Sequence, residues 1–252
     1  MARKRLAGFS LIEMLIVMGI TGILAGLLIP VLSQARATAR DTKCVSNLKG
    51  IGTALMLYVQ RNDDFLPACG PDGTDPDMGD AYDAWYRALL PYVQNWAAYS
   101  CPSKNPSVLD IPDVESAPGE TPSADAKYHE VHYGMNFQFL GLDPDFDLMG
   151  GTVQVDNIAS PSRILFIADG GTFKNKDMNP NEEAPDSIID GALHFPDDSG
   201  DIPTGKATIS PRHNGNTIVL FLDGHVERLN TKEVLSKKRD DSDCIYVGAM
   251  MQ

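Results

Sequence analysis

The chain carries an almost unbroken apolar run over 9–32, and Glu13 is the only ionisable side chain within it. The run contains 24 residues, and about 20 helical residues cross a bilayer core of about 30 Å. The pattern therefore predicts a membrane-spanning helix over 9–32. Three basic residues at 3–5 precede the run, an arrangement that a secretory signal peptide or a signal anchor also has.

After Pro30 the apolar positions recur at spacings of three and four, which predicts an amphipathic helix over 33–61. Its apolar face consists of Cys44, Val45, Leu48, Ile51, Leu55, Tyr58 and Val59. We expect one continuous helix that ends at Asn62-Asp63-Asp64, with a local weakness at Gly50 and Gly52. Each glycine costs about 1 kcal/mol of helix stability relative to alanine.

The remaining residues, 62–252, predict a globular body of mixed helices and strands. A short helix is expected around Trp85, on both sides of Pro91. The apolar runs 163–168 and 217–222 predict strands. Asp223-Gly224 separates the second run from another strand-like segment, which predicts a hairpin with a type I′ turn and positive φ at both central residues. The fold class is therefore α+β, with a long helix packed on an antiparallel sheet and long loops.

The net charge of −13 is unevenly distributed. Residues 1–61 contain 8 basic and 2 acidic side chains, whereas residues 62–252 contain 13 basic and 32 acidic ones. An acidic body repels the phosphates of nucleic acids. We therefore expect no nucleic-acid partner.

The string Gly8-Phe9-Ser10-Leu11-Ile12-Glu13 resembles the processing site of type IV prepilins and type II secretion pseudopilins. In that family a membrane peptidase cleaves after the glycine and methylates the new amino terminus. The resemblance implies cleavage between Gly8 and Phe9, methylation of Phe9, an assembly role for Glu13 and a helix kink at Pro30. It also implies a pilin-like fold in which 1–8 is the leader, 9–32 the membrane and filament-core helix, 33–61 its amphipathic continuation and 62–252 an extracytoplasmic body.

The physical chemistry of Glu13 agrees with this resemblance. A carboxylate at the centre of a membrane costs about 2.5 to 3.5 kcal/mol on insertion scales. Cleavage would create an ammonium group at Phe9, and a neighbouring subunit that is offset along the helix axis could place that group against Glu13. Each buried charge would then have a partner. The alternative is that Glu13 extends to the lipid headgroups in the unassembled chain.

A second resemblance involves His213, which nine residues separate from Asp223-Gly224. This spacing is similar to the H-X9-DG carboxy-terminal signature of a large prepilin-type family. Segments 101–103 and 133–136 of this chain also resemble the body of that family. His213 and Asp223 lack an obvious nucleophile nearby, so a structural role in the hairpin is favoured over a catalytic pair. No serine-nucleophile, P-loop, zinc-protease or Rossmann motif is present in the sequence. We expect no enzymatic activity.

Two further sites are predicted in the body. Cys69 and Cys101 lie on either side of the segment that contains Trp85 and Trp96. We predict a disulfide between them, although four cysteines allow three full pairings. Cys44 is expected to pack as a small hydrophobe and Cys244 to stay free. Acidic loops suit a structural calcium ion, which resemblance to the major pseudopilins supports, while solvated loop charge is the alternative. The candidate ligands are Asp143, Asp145, Asp147, Asp197, Asp198 and Asp201. No cofactor is required.

The two resemblances together imply a structural subunit of a pseudopilus or type IV pilus-like filament, linked to type II-type protein secretion. Its partners would be copies of itself or other pilin-like subunits, the prepilin peptidase and the inner membrane. The chain would cross the inner membrane once and place its carboxy-terminal body in the periplasm, before or within a filament. The alternative is a membrane-anchored periplasmic binding module or enzyme that uses the helix only as a tether.

Overall fold

A computed structural model describes residues 11–67, 85–103, 131–136, 153–172 apart from 159, the single residues 193 and 195, and 207–237. The chain divides into two compact units, Met1–Arg40 and Asp41–Gln252. The first unit contains the first part of a long helix. The second unit contains the rest of that helix and the sheet.

Helix α1 extends over Leu11–Arg61 and includes Pro30. It confirms the predicted single helix, and it is unbroken at Gly50 and Gly52, where a weakness was expected. The helix stops at the predicted place because Asp63 and Asp64 have positive φ values of 51° and 63°, which a right-handed helix cannot contain.

The two parts of α1 have different surroundings. Residues 11–40 are exposed, and the helix is long and apolar enough there to cross a membrane by length and composition alone. From Asp41 onward the predicted apolar face is buried, at Cys44, Leu48, Ile51, Leu55 and Val59.

A short aromatic unit packs beside the second part of α1. Helix α2, Trp85–Val93, continues through Pro91, and a 3₁₀ turn follows at Trp96–Tyr99. Trp85, Tyr86, Trp96 and Tyr99 contact one another with ring centroids 5.7 to 6.3 Å apart, mostly edge to face. Such geometry matches the quadrupoles of the rings, and it confirms the helix that was predicted on both sides of Pro91.

The sheet has five antiparallel strands within the described residues. They are β1 (Tyr133–Met135), β2 (Leu165–Thr172), β3 (Ala207–Ile209), β4 (Asn216–Phe221) and β5 (Val226–Asn230), and helix α3 follows at Thr231–Ser236. Their order is β1-β2-β4-β5, and β3 pairs with the last residues of β2. The antiparallel α+β class is confirmed. Strand β2 does not end at Asp169 as predicted but continues to Thr172, because β3 pairs with its extension.

Both faces of the central strands β2 and β4 are buried, whereas β5 is largely exposed. On β4, Ile218 and Leu220 join the core that includes α1, while Val219 and Phe221 join a second core with α3. This alternation is the two-residue period of a strand. The centre of the sheet is therefore dry on both sides.

The β4–β5 connection differs from the predicted type I′ turn. The N–H of Gly224 donates to the Phe221 carbonyl at 2.9 Å, and the N–H of Phe221 donates to the His225 carbonyl at 2.9 Å. Of the two central residues predicted for the turn, Gly224 has positive φ, at 89°, and Asp223 does not. The loop has three residues, a turn followed by a left-handed glycine. The Asp223 carboxylate accepts the His225 N–H at 3.1 Å, which stabilises this longer loop.

Gly52 allows α1 to approach this hairpin closely. A Cβ at Gly52 would lie 2.8 Å from the Leu220 Cδ1 and 3.2 Å from the Gly224 carbonyl oxygen. Leu220 is completely buried, so its methyl group has little room to move. The glycine that weakens the isolated helix is thus required by packing.

Gly52→Ala is expected to destabilise the protein by up to about 2 kcal/mol, because overpacking costs about 1 to 3 kcal/mol and the gain in helix propensity is about 1 kcal/mol. Gly50→Ala is the matched control, since Gly50 is exposed and a Cβ there meets nothing within 4 Å. Thermal melting should show a lower Tm for Gly52→Ala and a higher Tm for Gly50→Ala. Equal increases in both variants would contradict the close approach.

Candidate functional site

A buried group of ionisable and thiol side chains lies where α1, the sheet and two loops meet in the second unit. Asp41 and Cys44 come from α1, Cys101 follows the 3₁₀ turn at Trp96–Tyr99, and Asp169 lies within β2. His213 belongs to the connection between β3 and β4, and Arg228 lies in β5. We refer to these six residues as the buried cluster, because four of them are buried; the side chains of Asp41 and Arg228 are 21% and 44% exposed.

Local structure directs each acidic side chain of the cluster. Asp41 and Cys44 are three residues apart in α1 and therefore share one helix face. Asp169 pairs with Tyr133 of β1 in the sheet register and is completely buried. One carboxylate oxygen of Asp169 accepts the backbone N–H of Ile218 at 3.1 Å. This bond fixes the carboxylate between β2 and β4.

A tight turn positions His213. Asn214 and Gly215 have positive φ values of 57° and 82°, and His213 and Asn216 exchange backbone hydrogen bonds of 3.2 and 3.3 Å. Positive φ at both central residues is what a type I′ turn requires, and Asn-Gly is its preferred dipeptide. The type I′ geometry that was predicted at Asp223-Gly224 therefore occurs here, at the start of β4.

The His213 ring contacts two carboxylates. Its Nδ1 lies 2.7 Å from the Asp41 Oδ1, and its Nε2 lies 2.9 Å from the Asp169 Oδ2. Both nitrogens must donate in order to satisfy two carboxylate acceptors, so the ring is an imidazolium. Burial opposes this charge, but the hydrogen bonds and charges of its partners, above all Asp169, raise the pKa of His213 to about 11.

This pKa has a consequence for stability. A folded-state pKa above the ordinary value near 6.5 means that folding favours the protonated ring. The contribution of His213 to stability is therefore complete below about pH 6.5 and is lost as the pH rises towards about 11. Across neutral pH the ring carries its charge.

Arg228 completes the charge network at its partly exposed end. Its Nη1 lies 3.0 Å from the Asp41 Oδ2, and its Nη2 donates to the His213 carbonyl. The guanidinium and the imidazolium together match the two carboxylates of Asp41 and Asp169. The four charges sum to zero, which is the condition under which buried ions are tolerated.

The two cysteines adjoin this network. The Cys101 Sγ lies 2.7 Å from the Cys44 Sγ and 3.6 Å from the His213 Nε2. Both cysteines are completely buried. Burial raises the pKa of the Cys101 thiol well above its usual range, and the contact with Cys44 and the charge of Asp169 act in the same direction. A thiol of this kind is a poor nucleophile, since reactive cysteines are exposed thiolates.

Cys44, Cys101, Asp169 and His213 also offer the donor types that zinc binds, and their donor atoms lie within 4.8 Å of one another. A metal would need the lone pair of the His213 Nε2, which instead carries a proton towards Asp169. Binding would also require both thiols to ionise. The ion pairs of His213 and Arg228 form without these changes, so the cluster fits a set of ion pairs better than a metal centre. The Asp169 Oδ1 has no hydrogen-bond partner among the described residues.

The structure places only part of the predicted sites. Glu13 is an exposed residue of α1, Pro30 lies inside the same helix, and Asp223 and Gly224 form the hairpin loop. His213 does not contact Asp223, whose carboxylate instead pairs with His225. The predicted sites outside the described residues are Gly8, Phe9, Cys69, Asp143, Asp145, Asp147, Asp197, Asp198 and Asp201. Cleavage, the Cys69–Cys101 disulfide and calcium therefore stay predictions.

Four members of the cluster were not identified as site residues from the sequence. Cys44 was expected to pack as a small hydrophobe, and each of the other three left a signal. Asp41 lies one turn before Cys44 on the apolar face of α1. Asp169 extends a continuous apolar strand, where a buried carboxylate needs a charged or hydrogen-bonding partner. Arg228 left a weaker signal as a basic residue in a hairpin strand.

Comparison with known proteins gives relatives for part of the chain. The chain is 31% identical over 105 residues to the type IV major pilin protein PilA of Myxococcus xanthus, which is 42% of this chain and 44% of that protein. It is 33% identical over 76 residues to a fimbrial protein of Pseudomonas aeruginosa, which is 30% of this chain and 49% of that protein. The chain thus spans somewhat less than half the length of these relatives. No solved structure matches the chain.

Two family models match the sequence. Residues 3–29 match the prokaryotic N-terminal methylation motif, in agreement with the resemblance of the Gly8-Phe9 string to prepilins. Residues 33–187, more than half of the chain, match the family described as protein of unknown function DUF1559, and this range includes Asp41, Cys44, Cys101 and Asp169. The chain is therefore a prepilin-like protein that belongs to the DUF1559 family.

Proposed function

We propose that the chain is a structural subunit of a pseudopilus or type IV pilus-like filament and that its work is assembly, not catalysis. The observation that carries the proposal is the exposed apolar surface of α1 before Asp41. The amino-terminal methylation motif and the pilin relatives support it.

The exposed surface is large and continuous. Leu11, Ile12, Leu15, Met18, Ile23, Leu24, Leu27, Leu28, Ile29 and Val31 are each more than 50% exposed in the single chain. Burial of apolar surface is favourable by about 25 cal/mol per Å². A membrane covers this surface before assembly, and the same helices of neighbouring subunits cover it in a filament.

Glu13 gives such a bundle a preferred register. The carboxylate is costly in an apolar bundle unless a cation lies beside it. The ammonium group that cleavage creates at Phe9 is a cation of this kind, four residues before Glu13 in the sequence. One axial offset between neighbouring subunits places the two charges side by side, and other offsets separate them.

The body forms the outer surface of the filament in this proposal. Its acidic excess keeps it hydrated and limits contacts between bodies. In the finer version of the proposal, the prepilin peptidase of the inner membrane processes the chain, the body lies in the periplasm, and the filament serves type II-type secretion. The proposal requires no cofactor, and a structural calcium ion in the acidic loops is an independent expectation.

Gly8→Leu is expected to leave the leader attached, because the peptidase requires a small residue before the cleaved bond. Mass spectrometry of the full chain, isolated from membranes of a host that contains a prepilin peptidase, should show methylated Phe9 at the amino terminus of the parent protein. The variant should retain Met1. Gly26→Leu is the control, since a Cβ at Gly26 meets nothing within 4 Å, and it should be processed normally. An unprocessed parent chain would support the tether alternative instead.

Glu13→Gln is expected to insert and be processed but to assemble at least tenfold less, because the Phe9 ammonium loses its partner while the side chain keeps its size. A loss of 1.4 kcal/mol per contact already corresponds to a factor of ten. Sedimentation of sheared filaments measures the assembled fraction. Thr21→Val is the control, since the Thr21 hydroxyl donates to the carbonyls of Val17 and Met18 in its own helix. Assembly of Glu13→Gln at the parental level would contradict the pairing.

A further inference from the structure

We propose that Cys44 and Cys101 form a disulfide that fastens the second part of α1 to the body. This pairing goes beyond the proposed function, and it rests on that function only for its compartment, an extracytoplasmic body. It also replaces the Cys69–Cys101 pairing predicted from the sequence, since one cysteine cannot form two disulfides.

The distance between the sulfur atoms is the first argument. The two Sγ atoms lie 2.7 Å apart, whereas a disulfide bond measures about 2.05 Å. Two thiolates on a tetrahedral zinc ion, with zinc–sulfur bonds of about 2.3 Å, are held about 3.8 Å apart. The observed separation is nearer to the covalent bond, and a small side-chain movement closes it.

The neighbouring charges are the second argument. Both nitrogens of His213 are already engaged, Nδ1 with Asp41 at 2.7 Å and Nε2 with Asp169 at 2.9 Å. Two thiols or one disulfide leave both contacts in place, while a metal held by the two sulfurs and the His213 Nε2 would displace Asp169. Between the neutral forms, the disulfide removes the close contact of two non-bonded sulfur atoms.

The chemistry requires an oxidant with a reactive disulfide, either a dithiol oxidase or oxidised glutathione. One cysteine thiolate attacks the oxidant disulfide, and a mixed disulfide forms as the first oxidant sulfur leaves. The second cysteine thiolate then attacks the mixed disulfide and releases the reduced oxidant. The two cysteines lose two protons and two electrons, and the two sulfurs of the oxidant take up both and become thiols. Both sulfurs are buried in the folded protein, so the exchange takes place before folding is complete.

The bond would join residues 57 apart in sequence. It would join α1 at Cys44, one turn after Asp41, to Cys101, which follows the 3₁₀ turn at Trp96–Tyr99. The cross-link and the His213 network would then hold the same part of α1 by independent means. A force transmitted along the filament helix would therefore meet a covalent attachment to the body.

A peptide map of the full chain tests the pairing directly. Trypsin places the four cysteines in four separate peptides, 44–49, 62–87, 88–104 and 240–252. The chain is extracted from membranes in detergent with N-ethylmaleimide and digested without reductant. We expect peptide 44–49 linked to peptide 88–104, lighter by two hydrogen atoms than the sum of the reduced peptides, and we expect this result whether or not Phe9 has become the amino terminus.

Reduction and substitution supply the second measurement. The bond should resist dithiothreitol in the folded chain and yield to it in denaturant, because both sulfurs are buried. Cys44→Ala and Cys101→Ala should each lower the Tm by roughly 8 to 16 °C, and the double variant should lose little more than either single one. Cys244→Ala is the control and should melt like the parent.

Three results would overturn the proposal. The first is peptide 88–104 linked to peptide 62–87, which is the Cys69–Cys101 pairing. The second is alkylation of both Cys44 and Cys101 in the denatured, unreduced chain. The third is one zinc ion per chain by elemental analysis, with both thiols protected until a chelator is added. In each case a methylated Phe9 in the same sample would leave the proposed function standing.

Discussion

Asp169 places a carboxylate in the middle of a strand whose two faces are both buried, and the architecture of the body depends on neutralising it. His213 supplies the charge from the turn before β4, at 2.9 Å. The imidazolium then has a second nitrogen to satisfy, and Asp41 of α1 satisfies it at 2.7 Å. Arg228 of β5 balances Asp41. One buried acid thereby links the sheet, a loop and the long helix.

This chain of contacts explains why the helix changes character at Asp41. Before this residue the described side chains of α1 are exposed, and after it the apolar face of the helix is part of the core. The close approach of Gly52 to the Gly224 hairpin fixes the helix at its other end. The body thus holds α1 at two points and leaves the amino-terminal part available for a membrane or for other subunits.

Local patterns were sufficient to predict the elements that have a strong period of their own. We predicted the apolar face of α1, helix α2 and the strands β2, β4 and β5 because each buries a regular set of side chains. Strand β3 was missed because it has three residues within a polar segment and is defined by its pairing with β2. The type I′ turn was assigned to Asp223-Gly224 although Asn214-Gly215 has the same local signal, and only the strand register distinguishes them.

The buried cluster could not be assembled from the sequence, for a related reason. Asp41 and His213 are 172 residues apart, and no local pattern indicates that an acid on a helix will meet a histidine in a distant turn. The sequence signal was limited to single anomalies, such as an acid that ends an apolar run. Their meaning depends on which partner the fold brings near, and that is decided by the packing of α1 on the sheet.

The protonation state of His213 is the most direct measure of this account. The ¹⁵N shifts of the imidazole, assigned by comparison with His213→Gln in the full chain in detergent, report whether one or both nitrogens carry a proton. We expect both to be protonated at pH 8, because Asp169 raises the pKa of His213 above its ordinary value. A His213 ring that is neutral at pH 8 and titrates near 6.5 would contradict the network on which the account depends.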